Sequence, residues 1–214
     1  MSRPEIVVSG DPAGDVAERL AGASGHVVLT GGSSPRRAYE LATPDWSDAE
    51  IWWSDERCVF PVDDLSNYKL VQETLLDRVA VRAVHRMRGE LGRDAGAAAY
   101  EEELAGVDRF DFVLLGLGPD GHVASLFPDE PSLDETERRA IGTEAKLDPF
   151  VDRITLTLPV LCGARTVVFL VTGAIKANAV RRAFADEPSR ATPGSLVRGE
   201  ETIVVLDAAA AARL

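Results

Sequence analysis

Residues 110–128 read FDFVLLGLGPDGHVASLFP, and the change of character at Gly116 decides the fold class. Phe112–Leu115 is apolar at every position, without the alternation of a half-exposed strand. Continuous runs of this kind belong to strands covered on both faces, as in a parallel sheet flanked by helices. The runs VVLT at 27–30 and VVFLV at 167–171 repeat the pattern. Strands are predicted at 6–9, 26–30, 50–54, 110–116, 166–172 and 202–206. Helical periodicity is read between and after them at 11–22, 34–41, 65–79, 95–105, 174–185 and 208–214. Asp11 is the expected cap of the first helix, with Pro12 in its first turn. Alternation over the whole length predicts a single α/β domain, 1–214, with a mostly parallel, doubly wound sheet and helices on both faces. The polar stretch 128–152 is expected to be an irregular loop or lid with one short strand near 139–142.

Ligands bind beyond the carboxyl ends of the strands in such sheets, so the residues that follow each apolar run are the candidates. After VVLT comes TGGSSP, 30–35. Two glycines allow a tight turn with exposed amides, Ser33 and Ser34 add hydroxyls, and a helix then begins, an arrangement suited to phosphate. A plain strand-to-helix turn has the same signature. After the strand at 50–54 come Asp55, Glu56 and Arg57; taken alone, that triplet fits a solvated turn. Ser66-Asn67-Tyr68 is read as a helix start. Cys58 reads as a small packed side chain, with no base marked for it nearby.

GLGPDG, 116–121, matches G-x-G-x-x-G, but the match fails on chemistry. Asp120 would place a negative charge against a pyrophosphate, and no second strand ending in an acid follows. What remains is Asp120, Gly121 and His122 on a tight turn, where an aspartate and a histidine two apart can share one cavity. Imidazole is the side chain suited to proton transfer near neutrality. His26 and His85 fit structural roles. Arg153 opens RITLTLP, and Lys176 stands early in the helix after VVFLV. A lysine at a helix N-terminus is disfavoured by the dipole unless an anion lies close to it.

The net charge of −12 disfavours nucleic acid and anionic membranes as partners. No metal set and no cofactor is read from the sequence, and the two cysteines, Cys58 and Cys162, mark neither a disulfide framework nor a zinc motif. With no signal-like or membrane-spanning apolar segment, a cytoplasmic location is expected. A monomer is expected too, weak self-association being the alternative.

Taken in order, TGGSSP, SDER with SNY, LLGLGPDGHVASLFP, RITLTLP and LVTGAIKANAV resemble the 6-phosphogluconolactonase family. The likeness spans about Thr30 to Ala179, and GLGPDGHVASLFP is its most specific piece. The resemblance implies a modified Rossmann-like sheet without a nucleotide, and a phosphosugar lactone as the small-molecule partner. It implies hydrolysis of 6-phospho-D-glucono-1,5-lactone in the oxidative pentose phosphate pathway. Gly32, Ser33, Arg153 and Lys176 would hold the phosphate. His122 would be the general base with Asp120 beside it, Arg57 would meet the lactone end, and Asp55 would lie in the same pocket. The oxyanion would fall to Arg57 or to loop amides near 118–121. Val123 replaces a threonine, which would remove a hydroxyl from the pocket edge. Two alternatives remain. A glucosamine-6-phosphate deaminase would need a glutamate where Phe127 stands, and a non-catalytic phosphosugar-binding module would have no need of His122 and Asp120.

Overall fold

The structure is a computed structural model that describes residues 3–146 and 148–214. Among these, seven parallel strands form the main sheet. They are β1 (Glu5–Val8), β2 (His26–Leu29), β3 (Trp46–Trp53), β5 (Val81–His85), β6 (Phe112–Leu115), β9 (Thr166–Val171) and β10 (Glu201–Leu206). Their spatial order is β1-β10-β9-β6-β2-β3-β5. The continuous apolar runs lie where their composition demands: every residue of β6 is buried, as are the last five of β9 and of β10. The outermost strands β1 and β5 are the most exposed. Three short strands, β4 (Asp55–Arg57), β7 (Ala140–Thr143) and β8 (Arg153–Leu156), make a separate antiparallel sheet in the order β4-β8-β7.

Helices α1 (Pro12–Ala21), α2 (Ser33–Leu41), α3 (Asn67–Thr74), α4 (Arg93–Leu104), α5 (Leu158–Cys162) and α6 (Ala177–Phe184) flank the sheets. Asp11 caps α1 by accepting from the Gly14 amide at 3.1 Å, with Pro12 in the first turn, as its sequence position requires. The chain leaves β2 outward to β3 and β5, then returns to β6 on the other side of β2. That reversal opens a crevice between the carboxyl ends of β2 and β6, the place where this topology binds ligands.

Several expectations need correction. The C-terminal segment 208–214 forms turns, not a helix. Seven residues are too few to sustain one alone, and the Asp207 carboxylate ties the segment down by accepting from the Ala210 and Gly173 amides. The helix read at 65–79 breaks at Leu75, followed by a 3₁₀ turn at Leu76–Arg78. β3 begins four residues earlier than its apolar run, because Trp46 is buried and donates its Nε1–H to the Ala23 carbonyl at 3.0 Å. The segment 128–152 carries the strand read near 139–142, now β7, and a 3₁₀ turn at Pro131–Asp134.

Candidate active site

A cleft of about 360 Å³ opens at the β2/β6 crevice. Gly32, Ser33, Asp55, Arg57, His122, Arg153 and Lys176 all line it, although they come from five separate stretches of chain. Asp120 is not on its surface; it stands behind His122. Nearly every sequence candidate therefore converges on one cavity.

The strand-to-helix turn after β2 supplies the first wall. Gly32 has φ +102°, a left-handed conformation that favours glycine, and α2 begins at Ser33. Gly32 occupies the N-cap position and offers no side chain, so the first amides of α2 have no side-chain cap. Ser34 hydrogen-bonds Thr172 Oγ1 at 2.9 Å, which ties this turn to the end of β9.

The turn after β6 carries the titratable pair. Asp120 Oδ1 stands 2.6 Å from His122 Nδ1 and also accepts from the His122 amide at 3.1 Å. A carboxylate there holds the proton on Nδ1 and leaves Nε2 free to accept one. Burial pushes the Asp120 carboxyl upward, but the hydrogen bond and charge of His122 outweigh it, so the group lies below the ordinary carboxylate range. The ring leans on Phe127 at 5.0 Å between centroids. A Cβ on Gly118 would collide with the imidazole, so only glycine admits the ring at this place. Val123 is buried, bridges to Leu126 and does not line the cleft, although its neighbours His122 and Ala124 do.

The third wall comes from the small antiparallel sheet. The triplet Asp55-Glu56-Arg57 forms β4, with Asp55 and Glu56 only 6% and 3% exposed, and so is no solvated turn. Glu56 makes this possible. Its carboxylate accepts from the amides of Arg57, Asn67 and Tyr68 and from Ser66 Oγ, at 2.7–3.0 Å, so it caps α3 while holding β4 to it. Burial still pushes the Glu56 carboxyl above its usual value, against those donors. Asp55 accepts from Ser54 Oγ and Ser125 Oγ at 3.0 and 2.7 Å. Ser125 belongs to the turn after His122, where Ala124 takes φ +49°. Asp55 thus ties β4 to the His122 turn.

Arg57 lies directly across from Arg153 in the β4–β8 register. Arg57 donates to the Leu65 carbonyl at 2.6 Å and Arg153 to the Pro149 carbonyl at 2.8 Å. The Nε of each is buried and has no partner among the described residues. Burial, then the charge of Arg57, pushes the Arg153 guanidinium below its usual value. Lys176 is half-buried at the N-cap of α6, one residue before the helix, and donates to the Leu117 carbonyl at 2.7 Å. Burial lowers its pKa while the charge of Asp120 opposes the fall. Three cations in one cleft, two of them destabilised by burial, make a place for an anion.

The remaining titratable candidates lie elsewhere. His85 sits between Glu50 and Glu103 at 3.0 and 3.1 Å and stacks on Trp52; His26 accepts from Trp52 Nε1. Neither lines the cleft. Cys58 is half-buried, its thiol pushed up to about 11 chiefly by burial, and so is no nucleophile. Among the described residues no cluster of His, Cys, Asp or Glu is placed to hold a metal, and no helix is long and apolar enough to cross a membrane. Sequence reading missed Asn67 and Ser125 as cleft residues. Asn67 was legible only as a helix start, and Ser125 only as part of the family motif.

Fold and site together define an α/β protein of the Rossmann-like class with a cationic cleft of about 360 Å³ and a histidine–aspartate pair at its switch point. The chain belongs to the 6-phosphogluconolactonase family, within the group described as glucosamine-6-phosphate isomerases/6-phosphogluconolactonase, whose model matches residues 13–205. It is 41% identical to a 6-phosphogluconolactonase of Streptomyces coelicolor, over 89% of this chain and 82% of that protein. The crystal structure of a 6-phosphogluconolactonase from Thermotoga maritima superposes with a TM-score of 0.85 at 30% identity, covering 96% of this chain and 99% of that one. A monomeric glucosamine-6-phosphate deaminase superposes as well, with a TM-score of 0.86 over the full length of both chains, but at 16% identity it shares the fold alone.

Proposed function

We propose that this chain hydrolyses 6-phospho-D-glucono-1,5-lactone to 6-phosphogluconate, the lactonase step of the oxidative pentose phosphate pathway. The observation that carries the reading is the Asp120–His122 pair opening onto the same cleft as Arg57, Arg153 and Lys176. A δ-lactone is an activated ester, so its hydrolysis needs a placed water, a base and a counter-charge for the oxyanion. His122 Nε2 takes a proton from water as the water oxygen bonds to C1. The resulting oxyanion collapses, the bond from C1 to the ring oxygen breaks, and the ring oxygen takes the proton from His122. Asp120 holds the ring and stabilises the imidazolium between the two steps. The new carboxylic acid then ionises to give the product.

Gly32, Ser33, Arg153 and Lys176 hold the phosphate and orient the lactone. For the oxyanion, the amides of Gly118 and Gly121 are already spent on the carbonyls of His122 and Gly118 at 2.8 and 3.0 Å. Arg57 is therefore the better candidate. Standing opposite Arg153, it completes a pair of positive charges for a substrate that is anionic at one end and becomes anionic at the other. Asp55 acts through Ser125, fixing the turn after His122.

The nearest alternative is weakened by Phe127. It fills the position where deaminase chemistry calls for a carboxylate, is 4% exposed, and packs on the His122 ring. The deciding assay follows freshly prepared lactone by pH-stat or NMR against its spontaneous hydrolysis, with glucosamine 6-phosphate in parallel. Acceleration of lactone loss alone supports the reading; ammonia from the amino sugar, or no acceleration of either, removes it.

A further inference from the structure

The turn that carries Asp120 and His122 uses every one of its carbonyl oxygens. Lys176 Nζ takes that of Leu117 at 2.7 Å. The Gly121 and Gly118 amides take those of Gly118 and His122 within the turn. The other three are held from a distant part of the chain. Arg182, on α6, donates Nη2 to the Asp120 carbonyl at 3.0 Å and, more weakly, to that of Pro119 at 3.4 Å. The Gly194 amide donates to the Gly121 carbonyl at 2.9 Å.

Arg182 is itself seated: its Nε donates to Thr192 Oγ1 at 3.2 Å, and Thr192 is 1% exposed. Gly121 has φ +101°, and a Cβ there would stand 2.7 Å from Thr192 Cγ2. Residues 182–194 are thus fitted to the outer side of the turn at three successive peptides. Arg182 does not line the cleft.

We propose that Arg182, seated on Thr192, is a positioning residue that fixes the angle at which Asp120 meets His122. The guanidinium works by leverage. The Asp120–Gly121 peptide lies between the Asp120 side chain and His122, so a change of ψ at Asp120 or of φ at Gly121 carries the imidazole away from the carboxylate. Two features normally allow such rotation: a following glycine with positive φ, and carbonyls left to water. The glycine is present, and the guanidinium removes the second freedom: Nη2 occupies both carbonyls while Nε anchors the same rigid plane to Thr192. Arg182 acts on the proton-transfer geometry and not on substrate binding, because the phosphate cations attach through other bonds.

The inference rests on the lactonase reading, and the test keeps the two apart. Arg182→Met removes both donors and keeps the stem; Arg182→Lys keeps the charge and one donor. Misplacement of a catalytic group by about 1 Å can cost about 100-fold. Arg182→Met is expected to lose about 10- to 100-fold in kcat while KM moves less than about twofold, and Arg182→Lys to recover a clear part of kcat. Thr192→Val, which removes only the acceptor for Nε, is expected to fall between Arg182→Met and the wild type. A folded Arg182→Met with wild-type kcat overturns the proposal. So does a joint loss of kcat, KM and thermal stability that lysine does not repair. Should the wild type fail to hydrolyse the lactone, the lactonase reading falls, and ¹⁵N NMR of the His122 ring still reads the clamp. Its Nδ1 signal shifts in Arg182→Met if the proposal is right and stays in place if it is wrong.

Discussion

Replacing Arg153 by methionine should separate what this residue does for the ligand from what it costs the empty protein. Arg153 is 6% exposed, opposes Arg57 in the β4–β8 register, and leaves Nε without a partner. Its guanidinium stays protonated at any working pH, so the burial cost and the repulsion by Arg57 are present throughout. Methionine keeps most of the apolar stem and removes the charge. What the structure loses in return is the hydrogen bond to the Pro149 carbonyl and the attraction of Asp55 and Glu56, which is outweighed by burial and by Arg57. The unliganded variant is therefore expected to melt at or above the wild-type temperature. Affinity for 6-phosphogluconate should move the other way. A charge-assisted hydrogen bond to phosphate contributes about 1.5–3 kcal/mol, which corresponds to about 10- to 150-fold in Kd. Calorimetry with 6-phosphogluconate measures this directly, and thermal shift offers a second reading. At ligand near 100 times the wild-type Kd, the wild type gains about 2.7 kcal/mol, whereas a variant weakened about 100-fold gains only about 0.4 kcal/mol. A variant that keeps the wild-type thermal shift refutes contact with the phosphate. A variant that melts well below wild type, with affinity unchanged, makes Arg153 a tether for Pro149 and nothing more.

His122→Gln should lower kcat by about 10²–10⁴ with product affinity nearly intact; near-normal kcat in the folded variant, after subtraction of spontaneous hydrolysis, ends the general-base assignment. Asp120→Asn should also lower kcat with little change in KM, because an amide can hold His122 in the wrong tautomer; the pre-steady-state rate checks it. Lys176 has a folded pKa lowered by burial from 10.5. The empty folded protein therefore disfavours its charged form, a cost fully present below the folded pKa and relieved as pH rises toward the unfolded value. Lys176→Met should then raise the unliganded melting temperature at neutral pH, with the difference shrinking in alkali, while wild-type affinity for inorganic phosphate declines over that same alkaline range.

The legible part of this protein is the part built from parallel strands. β6 is covered on both faces, as are β9 and β10 beyond their first residues, so FVLL, VVFLV and IVVL run apolar without a break, and whatever follows such runs stands out by contrast. Gly32, Ser33, His122 and Lys176 all stand just beyond such runs, and all line the cleft. The small antiparallel sheet obeys a different rule. β4 is three charged residues, and only the partners of Glu56, ten to twelve positions away, make a buried strand of it. β8 opens on an arginine, and β5 alternates at the sheet edge, so neither shows the continuous run that marked the others. Arg57 and Arg153 were legible as candidates, but their pairing across β4 and β8 was not, because nothing local specifies it. The Arg182 clamp was invisible for the same reason: its partners lie 62 and 63 positions away in sequence.

The cost of holding this site together falls unevenly, and the pattern follows function. The His122 turn is bonded at each carbonyl, and its aspartate is held ionised by its partner. In the proposed mechanism the groups that act on protons are thus already in position before substrate arrives, as electrostatic preorganisation requires. The cations are the opposite case. Lys176 and Arg153 have their charged forms disfavoured by burial, and the Nε atoms of Arg57 and Arg153 are enclosed without acceptors. An anion entering the cleft supplies what they lack, so part of the binding free energy is relief of a cost already present in the empty protein. Under the proposed function that relief is available to any phosphate ester, whereas general-base catalysis by His122 would serve only a carbonyl within reach of a water at Nε2. Binding should therefore be permissive among sugar phosphates and hydrolysis restrictive. Glucose 6-phosphate, which has the phosphate but no lactone carbonyl, should inhibit competitively without being turned over, and its failure to compete would put the phosphate outside this cleft.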